Sequence, residues 1–133
     1  MKFNGMLNHD EINVSNLKDS RKFWSLFLIK LGYELYQEWG GGFSYMKEGT
    51  YIVFVQTYER YLKLKYHRSG TGLNHLAFLV ESREEVDVFR DLIKNCGLNE
   101  LYSDRYPHAG GDDNYALFFE DPDRMKVEVT CEI

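Results

Sequence analysis

The sequence predicts an α+β fold: two repeated βαβββ modules forming a cleft-shaped mixed sheet, with the helices outside. The first of three observations behind this is an internal repeat. Leu7-Asn8-His9 returns as Leu73-Asn74-His75, 66 positions later in a chain of 133 residues. Val14, Phe23 and Leu26 return at the same offset as Val80, Phe89 and Leu92, and Gly32 returns as Gly97 with one residue lost. Two copies mark a duplication, because a solenoid needs three or more units. The second observation is periodicity: in each copy an alternating stretch gives way to helical spacing and then to three short strand-like runs. The third is composition. A hydrophobic share of 44% in a chain of this length suffices for a packed core without staples.

The first module, about 5–57, opens with a strand over Leu7–Val14. His9, Glu11 and Asn13 fall on one face and Asp10, Ile12 and Val14 on the other. Ser15 or Asn16 caps a helix to about Leu31, with Phe23, Trp24, Phe27, Leu28 and Leu31 as its buried stripe. Gly32 is placed to end it in a left-handed conformation. Strands follow at Tyr33–Trp39, Phe43–Lys47 and Tyr51–Gln56, separated by Gly40-Gly41-Gly42 and Glu48-Gly49. A linker at about 58–72 ends Ser69-Gly70-Thr71-Gly72, a flexible composition, and its basic run Lys63–Arg68 reads as a solvated linker or edge.

The second module, about 73–133, repeats the plan within what is expected to be a single domain. His75, Ala77 and Leu79 oppose Leu76, Phe78 and Val80. Ser82 with Glu85 forms a capping box, and Val86, Phe89, Leu92, Ile93 and Cys96 make the helix stripe before Gly97. Strands are expected at about Asn99–Ser103, Tyr115–Phe119 and Met125–Cys131, with a long loop from Asp104 to Asn114.

Several function classes fall away on composition. The formal net charge of −5 leaves no electrostatic footprint for nucleic acid. No run is apolar for long enough to cross a bilayer, and Met1–Met6 lacks a signal peptide's hydrophobic middle, so a cytoplasmic protein without a membrane partner is expected. Cys96 and Cys131 carry no metal spacing and read as buried thiols.

Alternation also selects a site. Ile12, Val14, Phe78 and Val80 must cover the helices, so His9 and His75 point to the opposite, cleft face. In the last strand Met125, Val127, Val129 and Cys131 form the helix side, leaving Lys126, Glu128 and Thr130 with the histidines. Two histidines and one carboxylate, with positions left open, suit a divalent metal ion such as Fe, Mn, Ni or Zn. Glu11 shares the His9 face and reads either as a proton acceptor or as a partner that orients a ligand histidine. His108, in the long loop, reads either as an acid or substrate contact over the cleft mouth or as an exposed loop residue. Tyr106 and Tyr115 could hydrogen-bond an anionic oxygen.

These residues resemble a known family. His9 followed by Val14, then Ser15-Asn16-Leu17 and Ser20-Arg21-Lys22-Phe23-Trp24, resembles the opening of vicinal oxygen chelate proteins: glyoxalase I, extradiol dioxygenases, and fosfomycin- and bleomycin-resistance proteins. Tyr115-Ala116-Leu117-Phe118-Phe119-Glu120-Asp121-Pro122-Asp123, leading to Lys126-Val127-Glu128-Val129, resembles the family's closing motif, with Arg124 where the family usually has glycine. The resemblance covers almost the whole chain and carries His9, His75 and Glu128 onto the family's metal positions. It implies a small-molecule substrate chelated through adjacent oxygens. It also implies a homodimer, which the exposed sheet edges and aromatic-rich linker favour as well. Glyoxalase I-like lyases have a further carboxylate ligand where this chain has Val53, which counts against ordinary glyoxalase I chemistry. The alternative class is a metal-free ligand-binding protein of the bleomycin-resistance type.

Overall fold

In a computed structural model, which describes residues 1–132, the chain forms two compact units that divide between Lys65 and Tyr66, inside the stretch read as a linker. Each unit is a βαβββ module. In the first, β1 (His9–Val14) leads through α1 (Leu17–Lys30) to β2 (Glu34–Trp39), β3 (Gly42–Lys47) and β4 (Thr50–Gln56). The four strands lie in the order β1-β4-β3-β2, β1 and β4 parallel and the other neighbours antiparallel. In the second, β5 (His75–Val80), α2 (Arg83–Asn95), β6 (Glu100–Leu101), β7 (Tyr115–Glu120) and β8 (Lys126–Cys131) give the matching order β5-β8-β7-β6.

The helix ends follow from local chemistry. Asn16 caps α1, its side chain accepting from the Asp19 N–H at 3.1 Å. Gln56, at the end of β4, accepts from the Leu17 N–H at 2.8 Å and donates to the Ser15 carbonyl, which fixes the helix start against the sheet. Gly32, at φ 90°, ends α1 in the left-handed region, and Gly97 at φ 67° does so for α2. The capping box on α2 is shifted by one residue. Ser82 accepts from the Glu85 N–H at 3.2 Å, while the Glu85 carboxylate reaches back to the N–H of Glu81 rather than of Ser82.

The two cores differ in material. In the first unit Trp24, Phe27 and Leu28 from α1 are buried on Phe54, Phe43, Ile12 and Val14. Trp24 lies 4.9 Å from Phe54, which stacks on Phe43 at 5.0 Å. In the second, Val86, Phe89 and Ile93 from α2 meet Leu117, Phe119, Val127 and Val129, a mainly aliphatic packing. Both patterns place the helix on the strand face that alternation assigned to it.

Four expectations are corrected. The strand at Asn99–Ser103 shrinks to Glu100–Leu101, because Tyr102 turns left-handed at φ 58° and starts a 3₁₀ turn over Ser103–Arg105. Cys96 is exposed rather than buried; as the C-cap of α2 it lies past the last core-facing position, Ile93, and only Cys131 is a buried thiol. Leu31 and Leu92 are half-buried at the margin of their stripes. The last part of the linker is folded onto the second unit. Arg68 donates to Glu120 at 2.6 Å and to the Arg124 carbonyl at 3.0 Å, and the Tyr66 hydroxyl donates to the Leu73 carbonyl at 2.9 Å.

Candidate functional site

In the second unit, parallel pairing sets His75 beside Lys126 and Ala77 beside Glu128. His75 and Glu128 therefore share the face away from α2, with only the alanine methyl between them in the ladder. Glu128 is 7% exposed, so its carboxylate is largely removed from water and requires a partner. That partner is His75, whose Nε2 lies 3.0 Å from Glu128 Oε1.

The rest of the imidazole decides what this contact means. His75 Nδ1 lies 2.7 Å from the side-chain oxygen of Asn74. An amide oxygen only accepts, so this contact is a hydrogen bond when the proton sits on Nδ1. In the neutral ring Nε2 is then a bare lone pair facing a second acceptor. Two acceptors at this distance need a cation between them, either a proton on the ring or a metal ion. An imidazole nitrogen and a carboxylate oxygen are both ligand types that a divalent ion accepts.

Aromatic rings wall this face. Phe118, the antiparallel partner of Glu128, stands edge-on to His75 at 6.3 Å, and Tyr102 stands edge-on to Phe118 at 5.5 Å. The Lys126 ammonium lies 5.6 Å and 5.8 Å from the Tyr102 and Phe118 ring centres. Farther along β7, Glu120 accepts from Asn99 and Arg68, each at 2.6 Å. Burial alone would raise the Glu120 pKa, but those bonds and the charge of Arg68 outweigh it and hold the carboxyl below its ordinary range.

The first unit presents its histidine differently. His9 again donates from Nδ1 to the preceding asparagine, Asn8, at 2.7 Å. Its ring lies flat on Tyr51, its register partner, at 4.7 Å and 6° between planes, and Tyr36 leans on Tyr51 at 5.0 Å. Glu11 is exposed on the same face, paired in register with Val53. Val53 occupies the place in this unit that Glu128 occupies in the other, so this sheet offers a histidine and no buried carboxylate beside it.

The structure thus brings His75 and Glu128 together and leaves His9 and Glu11 on the corresponding face of the first unit. Among the described residues, no three or more His, Cys, Asp or Glu side chains gather into a group that could hold a metal ion. His108 is an exposed residue of the long loop and packs against Tyr115. Its Nδ1 donates to the Asn114 carbonyl at 2.8 Å and its ring meets Tyr115 edge-on at 6.0 Å. Tyr115 belongs to the helix-facing set of β7, and its hydroxyl donates to Asp87 of α2 at 2.8 Å. Tyr106 donates to the same Asp87 oxygen, and Arg90 lies 3.9 Å from the Tyr106 ring centre. These tyrosines fasten the long loop to α2. Sequence reasoning assigned no role to Asn8 and Asn74, although both stood inside the repeat that revealed the histidines.

Comparison with known proteins defines the class. No protein-family model matches the chain. It is, however, similar to a candidate glyoxalase from Bacillus halodurans, at 52% identity over 97% of each chain with a TM-score of 0.95. The chain belongs to the vicinal oxygen chelate superfamily, the glyoxalase/bleomycin-resistance/dioxygenase group. Among individual relatives, the uncharacterized protein YqjT of Bacillus subtilis is 50% identical over 94% of this chain and 98% of its own length. A mutant of the fosfomycin resistance protein FosX from Listeria monocytogenes, complexed with Mn(II) and 1S,2S-dihydroxypropylphosphonic acid, shares the fold. Its TM-score is 0.72 at 20% identity over 98% of this chain and 93% of its own. Among the described residues no helix is long and apolar enough to cross a membrane.

Proposed function

We propose that the protein is a metalloenzyme that chelates a small oxygen-rich substrate at a divalent ion held by His9, His75 and Glu128. One observation carries this reading: His75 Nε2 faces a buried Glu128 oxygen at 3.0 Å while Nδ1 meets the Asn74 side-chain oxygen at 2.7 Å, an arrangement that a cation at Nε2 would satisfy. His9 enters as the third ligand because its ring is held by Asn8 in the same way. The family resemblance and the Mn(II) complex of FosX support the assignment. When bound, an ion of the Fe, Mn, Ni or Zn type would stabilise negative charge developing on adjacent substrate oxygens.

Within this reading Glu11, on the His9 face, is the proton acceptor, and Phe118 and Tyr102 exclude water from the His75–Glu128 pair. His108, tied to Asn114 and Tyr115, is given no catalytic role. Val53 removes a carboxylate that glyoxalase I-type isomerisation would use. Conversion of a methylglyoxal–thiol adduct should therefore fall short of a glyoxalase I by about the 10²–10⁴-fold that a positioned base contributes. The rival reading, a metal-free binding protein, draws on the stack of His9, Tyr51 and Tyr36, which offers a flat aromatic surface to a ligand. We further propose a cytoplasmic homodimer, for which a monomeric mass in light scattering at micromolar concentration would be disqualifying.

Elemental analysis of protein purified without chelator or a nickel column tests the central claim. About one divalent ion per chain is expected, as for a site built from three deprotonated ligands. Protein that stays metal-free after Mn(II), Fe(II), Ni(II) and Zn(II) loading would leave the binding-protein reading in its place.

A further inference from the structure

We propose that Asn8 and Asn74 are positioning residues that lock the imidazoles of His9 and His75 in the tautomer with the proton on Nδ1 and the lone pair on Nε2. The two contacts, each 2.7 Å, arise independently in two units with different surroundings: one ring stacks on a tyrosine, the other meets a carboxylate. A shared contact that survives such different neighbours belongs to the repeated Leu-Asn-His segment itself.

The geometry explains why the asparagine stands where it does. Successive side chains within a strand point to opposite faces and do not meet. Asn8 and Asn74 each immediately precede the first strand residue, His9 of β1 and His75 of β5. Free of the pleat, the carboxamide can turn back onto the next side chain. Both asparagines are exposed and would otherwise be solvated, so holding them against the ring costs side-chain freedom in both units. What the contact secures is the state of Nε2. A neutral imidazole has one N–H, and the bond made at one nitrogen decides which nitrogen stays open as a ligand. In the second unit the alternative is clear: with the proton on Nε2, His75 would simply donate to Glu128 Oε1 and close the pair to any other cation. Asn74 opposes that closure.

The importance of this tautomer rests on the metal reading above; the tautomer itself does not. Two measurements on the full chain separate them. The first is ¹⁵N–¹H long-range NMR of the histidine rings in metal-free protein, at a pH about two units above the ordinary imidazole value of ~6.5. The parent should show His9 and His75 with the proton on Nδ1. Asn74→Leu, which keeps the size and removes the acceptor, should move the His75 proton to Nε2, and Asn74→Asp, which restores an acceptor, should return it. Asn8→Leu and Asn8→Asp should do the same for His9. The second is Mn(II) and Zn(II) affinity. Asn74→Leu should weaken it by about 10–100-fold, the usual effect of losing an orienting partner, and Asn74→Asp should recover most of the loss.

An unchanged tautomer in both Leu variants would overturn the proposal, as would an Nε2–H tautomer in the parent. Should the Leu variants unfold, Asn8→Ala and Asn74→Ala, which also lack the acceptor, carry the same test. A parent that shows the Nδ1–H tautomer, with the Leu variants shifting it, but binds neither metal upholds the asparagine assignment and removes the metal reading. A parent that binds metal while its tautomers ignore Asn8 and Asn74 does the reverse.

Discussion

In the second unit His75 meets a buried carboxylate, whereas in the first His9 lies on a tyrosine ring. The scaffolds beneath them match strand for strand, with the same order, the same parallel pair and an asparagine on each Nδ1. The difference comes from the strand beside each histidine. Tyr51 and Val53 stand in the first unit where Lys126 and Glu128 stand in the second. Duplication supplied two equal frames, and two side chains on one strand separate a histidine–carboxylate pair from an aromatic platform.

Breaking that difference should produce the largest effect. Glu128→Gln keeps the shape of the buried side chain and gives His75 Nε2 an amide donor in place of a charge. Metal affinity should fall by more than the roughly 10–100-fold that loss of an orienting group costs. The metal-free fold should hold its melting temperature, since the amide can still bond His75 Nε2 and no charge remains to be buried. Metal content and thermal unfolding of the same sample check both. Equal metal content in parent and variant would mean that the two frames do not differ in the way described. Val53→Glu sharpens the comparison from the other side, placing a carboxylate beside Glu11 on the His9 face.

The helices offer a second contrast. Trp24 is wholly buried on Phe54, while Arg90, at the same place in the repeat, instead reaches out to the Tyr106 ring and to Glu100 at 3.1 Å. Trp24→Ala should destabilise by about 3–5 kcal/mol, as large-to-small changes at buried aromatic sites do. Arg90→Ala should cost about 1 kcal/mol, since a partly exposed ion pair contributes little. Denaturant titration of both variants gives the ratio, and comparable losses would show that the second unit depends on its loop clamp as much as the first on its core.

That clamp also has a pH signature. Burial first, and then the hydrogen bond to Asp87, push the Tyr106 pKa well above its ordinary value. The native state thus keeps a proton that the unfolded chain releases, and the stabilisation is complete below about pH 10 and lost as pH rises beyond it toward the native value. Tyr106→Phe should lower the melting temperature in the neutral range, where the bond to Asp87 is lost, and flatten its fall above that pH. A parallel alkaline fall in the variant would assign it to other groups.

Much of this was legible in sequence because it is periodic. The repeat and the period-two alternation placed His9 and Glu11 on one face and His75 and Glu128 on one face, and Asn16, Ser82, Gly32 and Gly97 marked the helix ends. What was not legible is aperiodic. The direction of His108 depends on a loop bonded to itself and to α2, and no spacing encodes that. The short β6 depends on one left-handed tyrosine, and the packing of the linker on one arginine finding Glu120. The roles of Asn8 and Asn74 were hidden for another reason: alternation treats neighbouring residues as facing apart, and that rule fails at the residue just before a strand.

The smallest expected effect concerns the hairpin before each last strand. In the first unit Glu48 and Gly49 make the turn at φ 51° and 84°. The residue corresponding to Gly49 in the second is Arg124, at φ 64°, a conformation that costs a residue with a Cβ about 1 kcal/mol. Asp121 sustains it: its side chain accepts from the N–H groups of Asp123 at 2.9 Å and Met125 at 2.8 Å, and its carbonyl accepts from Arg124 at 2.9 Å. The Arg124 carbonyl in turn receives Arg68, so the strained residue anchors the chain where it enters the second unit. Arg124→Gly keeps that carbonyl and removes the strain, losing only an exposed side chain 3.7 Å from Glu120, worth about 0–1 kcal/mol. Stability should rise slightly or stay level, while Gly49→Ala in the first unit should lower it by about 1 kcal/mol. If Arg124→Gly proves clearly destabilising, the guanidinium, and not the backbone beneath it, holds Glu120 and Arg68 in place.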